Sequence, residues 1–404
     1  MKIAIFSDNF YPELSGISDS FITLAKELSK RGHFVNFYVP RYSAKNYQTA
    51  GIADQSENEI GKRVRVVRFS SISYPMPTTQ GRLIIPIGLR TLSIKKFNPD
   101  VLHTQLFGGA GLEALIAGRI LGRPVIGTNH TVVREFLRYS PIQNKSFLNL
   151  ILRYVNWFYG KCDFLTSPSM FLIKDMEALG FSGNSAVVYN PVDTKFFRPL
   201  SAKNNNELKR KFGLAYPAVV YAGRFAPEKK MDVLFKAFGI VRKTIPSATL
   251  AVAGHGVTKD SLQSLSKTLG MEKNVVFTGT LSKPVLAELY HAAELSATAS
   301  TSEVQSITML EAMASGLPVV GVNARGLGEH INVKNGLLAE PDDPEDLARK
   351  ILLLLKKDSL RKKLGAGAAV FAQNFTTERI ATDWEQIYEK VIKNYTKRAS
   401  AFNF

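Results

Sequence analysis

The sequence predicts an α/β protein made of two Rossmann-like domains that face each other across a cleft. Short apolar runs alternate with segments of helical periodicity along most of the 404 residues. This alternation is typical of parallel sheets covered by helices on both faces. The pattern stops at a polar, proline-containing stretch around residues 190–206 and then restarts. The interruption predicts a hinge between two halves, each long enough to bury its own core.

The first half opens with an apolar run at residues 2–7, which predicts a short buried strand. A helix is predicted over 18–30, because Phe21, Leu24 and Leu28 recur at helical spacing and Gly32 follows as a terminator. Helical segments separate the other strands predicted in this half, which lie at residues 34–39, 100–103, 125–128 and 164–166.

The second half repeats this order of elements. Strands are predicted at residues 218–222, 249–253, 274–277 and 317–322. A helix is expected to begin at residues 342–346, because acidic side chains are stabilised by the positive end of a helix dipole.

The composition limits the function classes. The chain carries 52 Lys and Arg residues against 34 Asp and Glu, a formal net charge of +18. Such an excess indicates an anionic partner: nucleic acid, an anionic membrane surface or a phosphate-bearing substrate. A single cysteine, Cys162, excludes a disulfide framework and a cysteine-based zinc site. No apolar run approaches the roughly 18 residues needed to span a bilayer, so we expect a cytosolic protein that can attach to a membrane face.

Loops at the carboxyl ends of parallel strands would face the predicted cleft. In the first of these, Gly16 precedes a predicted helix and would let backbone N–H groups approach an anion. A simple turn glycine is the alternative. In a second loop, Arg224 directly follows a strand and Lys229 lies five residues further on. Two cations beside Gly223 fit a diphosphate, whereas a solvated basic turn is the plainer interpretation.

A third loop carries two carboxylates, Glu303 and Glu311, with seven residues between them. If a helix begins near Gln305, the two groups are separated by roughly 12 Å along its axis. That is about the reach from a sugar, across a diphosphate, to a ribose. The N–H groups at the start of the helix would face the diphosphate. Two solvent-facing glutamates are the alternative, but the surrounding apolar residues argue for a semi-buried site.

Taken together, these motifs resemble the family-4 retaining glycosyltransferases of GT-B fold. The E-x7-E signature is followed by E-A-M-A-S-G-L-P-V-V, and the loop G-R-x-x-P-E-K precedes it. The similarity covers nearly the whole chain. Three positions depart from the family pattern: Ser15 replaces the first of two glycines, Lys230 replaces a glycine after the E-K pair, and Pro191 replaces the commoner hinge glycine.

The resemblance implies a role for each motif residue. Arg224 and Lys229 would hold the donor diphosphate, Glu311 the ribose and Glu303 the transferred sugar. The family histidine at the sugar corresponds to His130, although a lone histidine after a strand is more often structural. The remaining donor contacts implied are the backbone of Gln305, Ser306 and Ile307 at the distal phosphate, Gly254 and Gly256 in the nucleotide pocket, and residues 277–281 near the base.

No cofactor is expected beyond the nucleotide sugar. The chain lacks a D-x-D motif, so no acidic cradle for a divalent cation is apparent. Arg224, Lys229 and a helix dipole would stabilise the leaving diphosphate instead, and catalysis is expected to be independent of metal. A P-loop is also absent, and Gly254-His255-Gly256 is followed by Lys259 where the dinucleotide fingerprint requires glycine.

The acceptor is indicated by residues 61–99, which contain eight basic and no acidic side chains interleaved with apolar ones. This composition predicts adsorption to an anionic membrane; a solvated basic face is the alternative. The basic residues chosen as membrane contacts are Arg65, Arg68, Arg82 and Arg90. After His130, Glu135 and Tyr139 complete a run that resembles H-T-x-x-x-[D/E]-[Y/F]-x-x-Y of bacterial diacylglycerol glucosyltransferases. Phosphatidylinositol mannosyltransferases are the nearest rival.

The sequence therefore predicts a cytoplasmic enzyme, peripheral on the cytoplasmic face of the cell membrane, that transfers a hexose from a nucleotide sugar to a lipid. UDP-glucose is the expected donor and diacylglycerol an example of the acceptor. Residues 1–196 would bind the acceptor, 197–375 the nucleotide sugar, and a helix over 376–404 would pack back towards the first domain. The alternatives are a soluble-glycan glycosyltransferase, a nucleotide-sugar hydrolase or epimerase, and a basic nucleic-acid-binding protein, for which no binding motif is present.

Overall fold

The structure is a computed structural model that describes residues 1–13, 15–50, 60–73, 81–88, 90–134, 144–200 and 205–401. The chain forms two compact units. The first contains Met1–Pro191 and Thr377–Phe404, and the second contains Val192–Thr376. The chain thus leaves the first unit after Pro191 and returns to it at Thr377.

The first unit is built on a seven-stranded sheet in the order β3-β2-β1-β6-β7-β8-β9, and all of its ladders are parallel. A small antiparallel hairpin, β4 and β5, lies outside this sheet. The strands are β1 (Lys2–Phe6), β2 (Phe34–Pro40), β3 (Val64–Phe69), β4 (Ile72–Ser73), β5 (Arg82–Leu83), β6 (Val101–Thr104), β7 (Val125–Thr128), β8 (Phe164–Ser167) and β9 (Ser185–Val187).

Helices cover both faces of this sheet. The helices that the structure describes in the unit are α1 (Gly16–Lys30), α2 (Ala44–Ala50), α3 (Thr91–Phe97), α4 (Gly109–Leu121), α5 (Lys145–Gly160), α6 (Met170–Ala178) and, from the end of the chain, α15 (Thr377–Ala401). One apolar cluster joins α1 and α15 to the sheet, and another joins α3, α4 and α5 to it. Helix α15 is further tied to the end of α1 by an ion pair between Arg31 and Glu385, with a closest N–O distance of 2.7 Å.

The second unit contains a six-stranded parallel sheet in the order β12-β11-β10-β13-β14-β15. Its strands are β10 (Ala218–Ala222), β11 (Thr249–Ala253), β12 (Val275–Gly279), β13 (Leu295–Ala297), β14 (Val319–Val322) and β15 (Gly336–Ala339). Its helices are α7 (Asn205–Lys211), α8 (Met231–Thr244), α9 (Lys259–Thr268), α10 (Lys283–Ala292), α11 (Ile307–Ala314), α12 (Arg325–His330), α13 (Pro344–Lys356) and α14 (Asp358–Ala372).

These two parallel sheets confirm the predicted α/β class with two Rossmann-like domains. The helix expected at residues 342–346 begins at Pro344, and the side chain of Asp343 accepts a hydrogen bond from the Asp346 amide as its N-cap. Strand β3 was not predicted, because Arg65 and Arg68 interrupt its apolar pattern. It is an edge strand of the sheet, a position where charged side chains are common. Among the residues that the structure describes, no helix is long and apolar enough to cross a membrane.

Candidate functional site

The second sheet has a topological switch point between β10 and β13, where the strand order reverses. Ligands of open α/β sheets bind beside the carboxyl ends of the strands at such a point. The loop after β10 carries Arg224 and Lys229, and the loop after β13 carries Glu303. The structure therefore brings the two predicted cations and the first predicted carboxylate to the switch point of one domain.

The cationic loop is compact. Residues Pro227–Lys229 form a single 3-10 turn, and Lys230 follows in the left-handed region at φ 50°. Glycine usually occupies such a backbone conformation. Lys230 stands where the family pattern has glycine, so its backbone is strained. Arg224 lies half in solvent and contacts Glu228 at 3.2 Å.

Lys229 does not point into solvent. Its Nζ donates a hydrogen bond to Glu303 Oε1 at 2.7 Å, and both side chains are largely buried. Burial raises the pKa of Glu303, but the charge and hydrogen bond of Lys229 outweigh this, so the pKa lies below the usual value for glutamate. Glu303 is therefore an ionised carboxylate whose counter-ion is the lysine assigned to the diphosphate.

Helix α11 begins at Ile307, two residues later than predicted. The difference arises because Ser306 is the N-cap: its backbone is extended, and its Oγ accepts a hydrogen bond from the amide of Met309 at 3.4 Å. Gln305 and Ser306 are buried, and Glu311 is buried one turn into the helix. Glu303 thus lies before the positive end of α11 and Glu311 lies within it, as the E-x7-E spacing predicts.

The glycine loop after β11 packs against the backbone of the cationic loop. A Cβ at Gly254 would lie 1.9 Å from the carbonyl oxygen of Gly223, and one at Gly256 would lie 2.2 Å from that of Phe225. Only glycine allows this close approach. The loop reaches the predicted base region through His255, whose Nδ1 lies 3.0 Å from Thr280 Oγ1.

Two further residues beside this site had no signal in the sequence. Arg325, at φ 45°, donates a hydrogen bond from Nη1 to the carbonyl of Thr301 at 2.7 Å. The amide of Gly326 donates to the carbonyl of Glu303 at 3.0 Å, and a Cβ there would collide with Val304. The first turn of α12 therefore fixes the backbone of Glu303, which only the folded loop could reveal.

The first unit holds the other predicted site residues. His130 follows β7, and its Nε2 lies 2.9 Å from Oε1 of the buried Gln105. Burial lowers the pKa of His130 to about 3, so the imidazole is neutral at ordinary pH. Gly16 is the first residue of α1, and Ser15 is its N-cap, accepting a hydrogen bond from the amide of Ser18 at 3.2 Å. One of the backbone N–H groups expected to bind an anion at this helix end therefore already donates to a side chain of the protein.

The arginines predicted as membrane contacts differ in their surroundings. Arg65 is exposed on the edge strand β3. Arg68 donates hydrogen bonds to the carbonyls of Pro40 and Tyr11, both at 2.7 Å. The guanidinium of Arg82 donates to the carbonyl of Arg41. Glu135 and Tyr139 lie outside the described residues.

Arg90 is held most firmly of the four. Its guanidinium lies 4.7 Å from the centroid of the Phe69 ring, contacts the carboxylate of the fully buried Glu113 at 3.4 Å, and donates to the carbonyls of Ile85 and Ser70. Because three of these four arginines bond to their own domain, they are less available to lipid than the sequence suggests.

Within the described parts of the chain, no group of three or more His, Cys, Asp or Glu side chains could hold a metal ion. The groups that face the switch point are instead two cations, two carboxylates, backbone N–H groups and close-packed glycines. Such a set can bind a diphosphate and polyhydroxylated groups on either side of it.

Comparisons with known proteins place this fold in one class, the GT-B glycosyltransferases. The structure superposes on Anabaena HepE in complex with UDP with a TM-score of 0.75, at 20% identity, covering 96% of this chain and 100% of that one. The sucrose-phosphate synthase of Thermosynechococcus elongatus gives a TM-score of 0.76 at 20% identity, covering 97% and 99% of the two chains.

The family follows from two family models that together span most of the chain. Residues 14–196 match the model "Glycosyltransferase Family 4", and residues 204–370 match "Glycosyl transferases group 1". The protein belongs to the family-4 glycosyltransferases.

Its relatives differ in their named reactions. The alpha-monoglucosyldiacylglycerol synthase of Streptococcus pneumoniae is 28% identical over 79% of this chain and 70% of its own length. A protein of the same name from Acholeplasma laidlawii is 23% identical over 98% of this chain and 99% of its own. A GDP-mannose-dependent alpha-mannosyltransferase of Mycobacterium tuberculosis is 27% identical over 93% of both chains.

Proposed function

We propose that this glycosyltransferase moves glucose from UDP-glucose to a hydroxyl group of a membrane lipid such as diacylglycerol, with retention of the anomeric configuration. The observation that carries the donor half of the proposal is the Lys229–Glu303 pair at the switch point, immediately before the positive end of α11. The lipid acceptor is supported by the two relatives named alpha-monoglucosyldiacylglycerol synthase.

The donor would lie along the carboxyl edge of the second sheet. Arg224 and Lys229 would bind the diphosphate, and the N–H groups around Ser306 and Ile307 would meet its distal phosphate. Glu311, one turn into α11, would accept hydrogen bonds from the ribose hydroxyls. The glycine loop at 254–256 and the residues at 277–281 would enclose the nucleoside.

In the reaction, the bond between the sugar C1 and the diphosphate oxygen breaks, and a bond from C1 to the acceptor oxygen forms on the same face. The acceptor proton passes to the departing phosphate oxygen, so no carboxylate of the enzyme needs to act as a base. Negative charge grows on the diphosphate as the bond breaks. Arg224, Lys229 and the α11 dipole stabilise that charge without a metal ion.

Two residues would orient the sugar. Glu303 is ionised and can accept hydrogen bonds from sugar hydroxyls once Lys229 turns to the diphosphate. His130 is neutral, so it can donate or accept a hydrogen bond without adding a charge beside the reacting carbon. Glu135 and Tyr139 would contribute on the acceptor side.

The membrane half of the proposal has a physical basis in exposed side chains among the described residues between 72 and 96. Leu83, Ile85 and Ile87 are about half exposed and alternate with the buried Ile84. Ile72 pairs with Leu83 across the hairpin and is also exposed, as is Leu92 on α3. Lys95 and Lys96 are exposed nearby. An aliphatic ridge beside exposed lysines suits peripheral attachment to the anionic cytoplasmic face of the cell membrane.

The test is product analysis with a matrix of donors and acceptors. UDP-glucose, UDP-galactose and GDP-mannose are each offered with diacylglycerol, phosphatidylinositol and a soluble oligosaccharide, and the product linkage is read by proton NMR. The expected product is an α-glucosyl lipid formed from UDP-glucose. A β-linked product would refute retention, and transfer only to the oligosaccharide would refute the lipid acceptor. Release of free glucose without any acceptor product would indicate a hydrolase.

Transfer of mannose is the second candidate, because the GDP-mannose-dependent relative aligns over 93% of both chains. Turnover with GDP-mannose and phosphatidylinositol, but not with UDP-glucose, would establish it in place of the first. A Glu311→Gln variant serves as the control in either case, since it should lose the donor while the acceptor side is unchanged.

A further inference from the structure

The core of the first unit covers only part of the apolar surface of helix α5. On its inner side, Val155, Phe158 and Tyr159 are buried, and they account for one apolar stripe. Its outer side carries a second stripe, in which Phe147, Leu150, Tyr154 and Trp157 recur at helical spacing. Three of these four are strongly exposed: 37% for Phe147, 62% for Leu150 and 48% for Trp157.

The first half of the helix is the less covered half. Residues 145–152 read K-S-F-L-N-L-I-L, and all of them are described by the structure. Although five of the eight are large and apolar, none of the eight is buried: Phe147 and Leu150 are exposed, and the other three pack only partly against the core. Contiguous apolar surface of this kind marks an interaction site in a folded protein.

The position of the helix explains this exposure. The hydroxyl of Tyr154 donates a hydrogen bond of 2.6 Å to the carbonyl of Phe107, in the loop that leaves the carboxyl end of β6. Tyr154 is the tenth residue of the helix, so the start of the helix lies about 13 Å along its axis from this contact. The same edge carries His130, which the proposed function places beside the transferred sugar.

The charge of residues 145–162 indicates which kind of partner this surface binds. Residues 145–162 contain no Asp or Glu, whereas Lys145, Arg153 and Lys161 are exposed along the helix. Apolar and aromatic side chains in the centre, with lysine and arginine around them, fit the interface of an anionic bilayer. The ring of Trp157 stacks on Tyr154 at 5.9 Å, and tryptophan and tyrosine favour this interfacial depth.

We propose that the outer face of α5, formed by Phe147, Leu150, Arg153 and Trp157, docks into the headgroup region of an anionic membrane. The residues of this surface are different from those of the basic stretch at 62–96. The inference rests on the proposed membrane-lipid acceptor. It adds that the bilayer lies against the N-terminal half of α5, near the carboxyl edge of the first sheet.

The chain offers an internal reporter. It contains two tryptophans, and Trp384 is buried, so a change of emission on adding vesicles comes from Trp157. Vesicles of phosphatidylcholine with phosphatidylglycerol should shift this emission to shorter wavelength, and lipids brominated in the acyl chain should quench it. Trp157→Phe should remove both signals while the protein still sediments with the vesicles.

Leu150→Glu tests the surface itself and should weaken partitioning by about tenfold or more. Ile120→Glu is the matched control: Ile120 is 65% exposed and lies at the other end of α4, which begins at this same edge. It should leave partitioning unchanged. Binding of UDP, whose proposed site is in the other unit, should be normal in both variants, and an unchanged far-ultraviolet circular dichroism spectrum shows that the first unit is folded.

Three outcomes would overturn the inference. If the wild type sediments with vesicles but Trp157 emission stays constant, another surface docks and the proposed membrane attachment survives without α5. If the wild type ignores anionic vesicles at low salt, the membrane attachment in the proposed function fails as well. If analytical ultracentrifugation without lipid shows a dimer that Leu150→Glu dissociates, a second copy of the chain covers this face.

Discussion

Replacing Glu303 by glutamine should tighten the binding of free UDP while it impairs transfer. Lys229 is shared between two anions in the proposed cycle: the Glu303 carboxylate, which it contacts at 2.7 Å without donor, and the diphosphate. A diphosphate must therefore compete with Glu303 for this lysine. Glutamine keeps the shape of the side chain and removes the charge, so the competition ends.

The size of the effect follows from the burial of the pair. A hydrogen bond to a charged partner contributes about 1.5–3 kcal/mol, and the amide of glutamine can retain part of it. Removing the competing carboxylate should therefore strengthen the binding of UDP by about 1 kcal/mol, which corresponds to a roughly fivefold lower dissociation constant. Transfer should nevertheless fall by about 100-fold, since the contact to the reacting sugar is lost.

The assay is isothermal titration of UDP into the wild type, Glu303→Gln, Lys229→Ala and the double variant. In the Lys229→Ala background the glutamine substitution should no longer tighten binding, because the contested group is absent. Glu228→Gln is a matched control. Its partner Arg224 is 49% exposed and 3.2 Å away, and such a pair contributes under about 1 kcal/mol, so UDP affinity should change little.

Two results would refute this reasoning. Unchanged or weaker UDP binding by Glu303→Gln would mean that Lys229 and Glu303 do not compete with the nucleotide. A gain that persists without Lys229 would mean that the carboxylate repels the diphosphate directly. Either result would separate the ion pair seen in the structure from the donor cycle.

Three other outcomes are expected. Arg224→Ala and Lys229→Ala should each lower turnover by about 100-fold, measured at saturating donor, because both oppose charge that grows as the bond breaks; near-normal turnover in both would remove them from the diphosphate. Burial raises the pKa of Asp8 from 3.8 to about 6, so the folded state holds this proton more tightly than the unfolded chain. Stability should therefore fall as pH rises through this window, and Asp8→Asn should flatten the dependence in urea unfolding followed by tryptophan emission; an identical pH profile in the variant would contradict it. Lys230→Gly should be at least as stable as the wild type in thermal unfolding, because glycine adopts the left-handed backbone at φ 50° without strain. As a control, Lys236→Gly in the interior of α8 should lower the stability by about 1 kcal/mol. Equal losses in the two variants would argue against strain at Lys230.

Local sequence patterns were sufficient to predict the α/β class and many of the strands. Buried strands such as Ala218–Ala222 and Thr249–Ala253 are runs of apolar residues bounded by glycine or proline, so each is visible without knowledge of its neighbours. The E-x7-E spacing also fixed a relation that is local in the chain, with Glu303 before α11 and Glu311 inside it.

Contacts between distant residues were decided by the tertiary structure. Lys229 and Glu303 are 74 residues apart, and nothing in either motif indicates that they neutralise each other. Arg68 and Arg90 belong to a basic stretch that predicted adsorption to an anionic membrane, yet their guanidinium groups bond to carbonyls and aromatic rings of their own domain. The composition gives only the number of charged side chains, whereas the geometry of the fold determines which of them are paired within the protein.

The same limit applies to α5. Its sequence is apolar on two sides, and periodicity alone cannot tell which side the core covers. The register of α5 against the loop after β6, set by Tyr154 and Phe107, buries one stripe and leaves Leu150 and Trp157 in solvent. The sequence determined the class of protein and its donor motifs because those depend on residues close together in the chain. Which side chains remain free to meet a substrate or a membrane depends on packing between remote elements, and therefore on the folded structure.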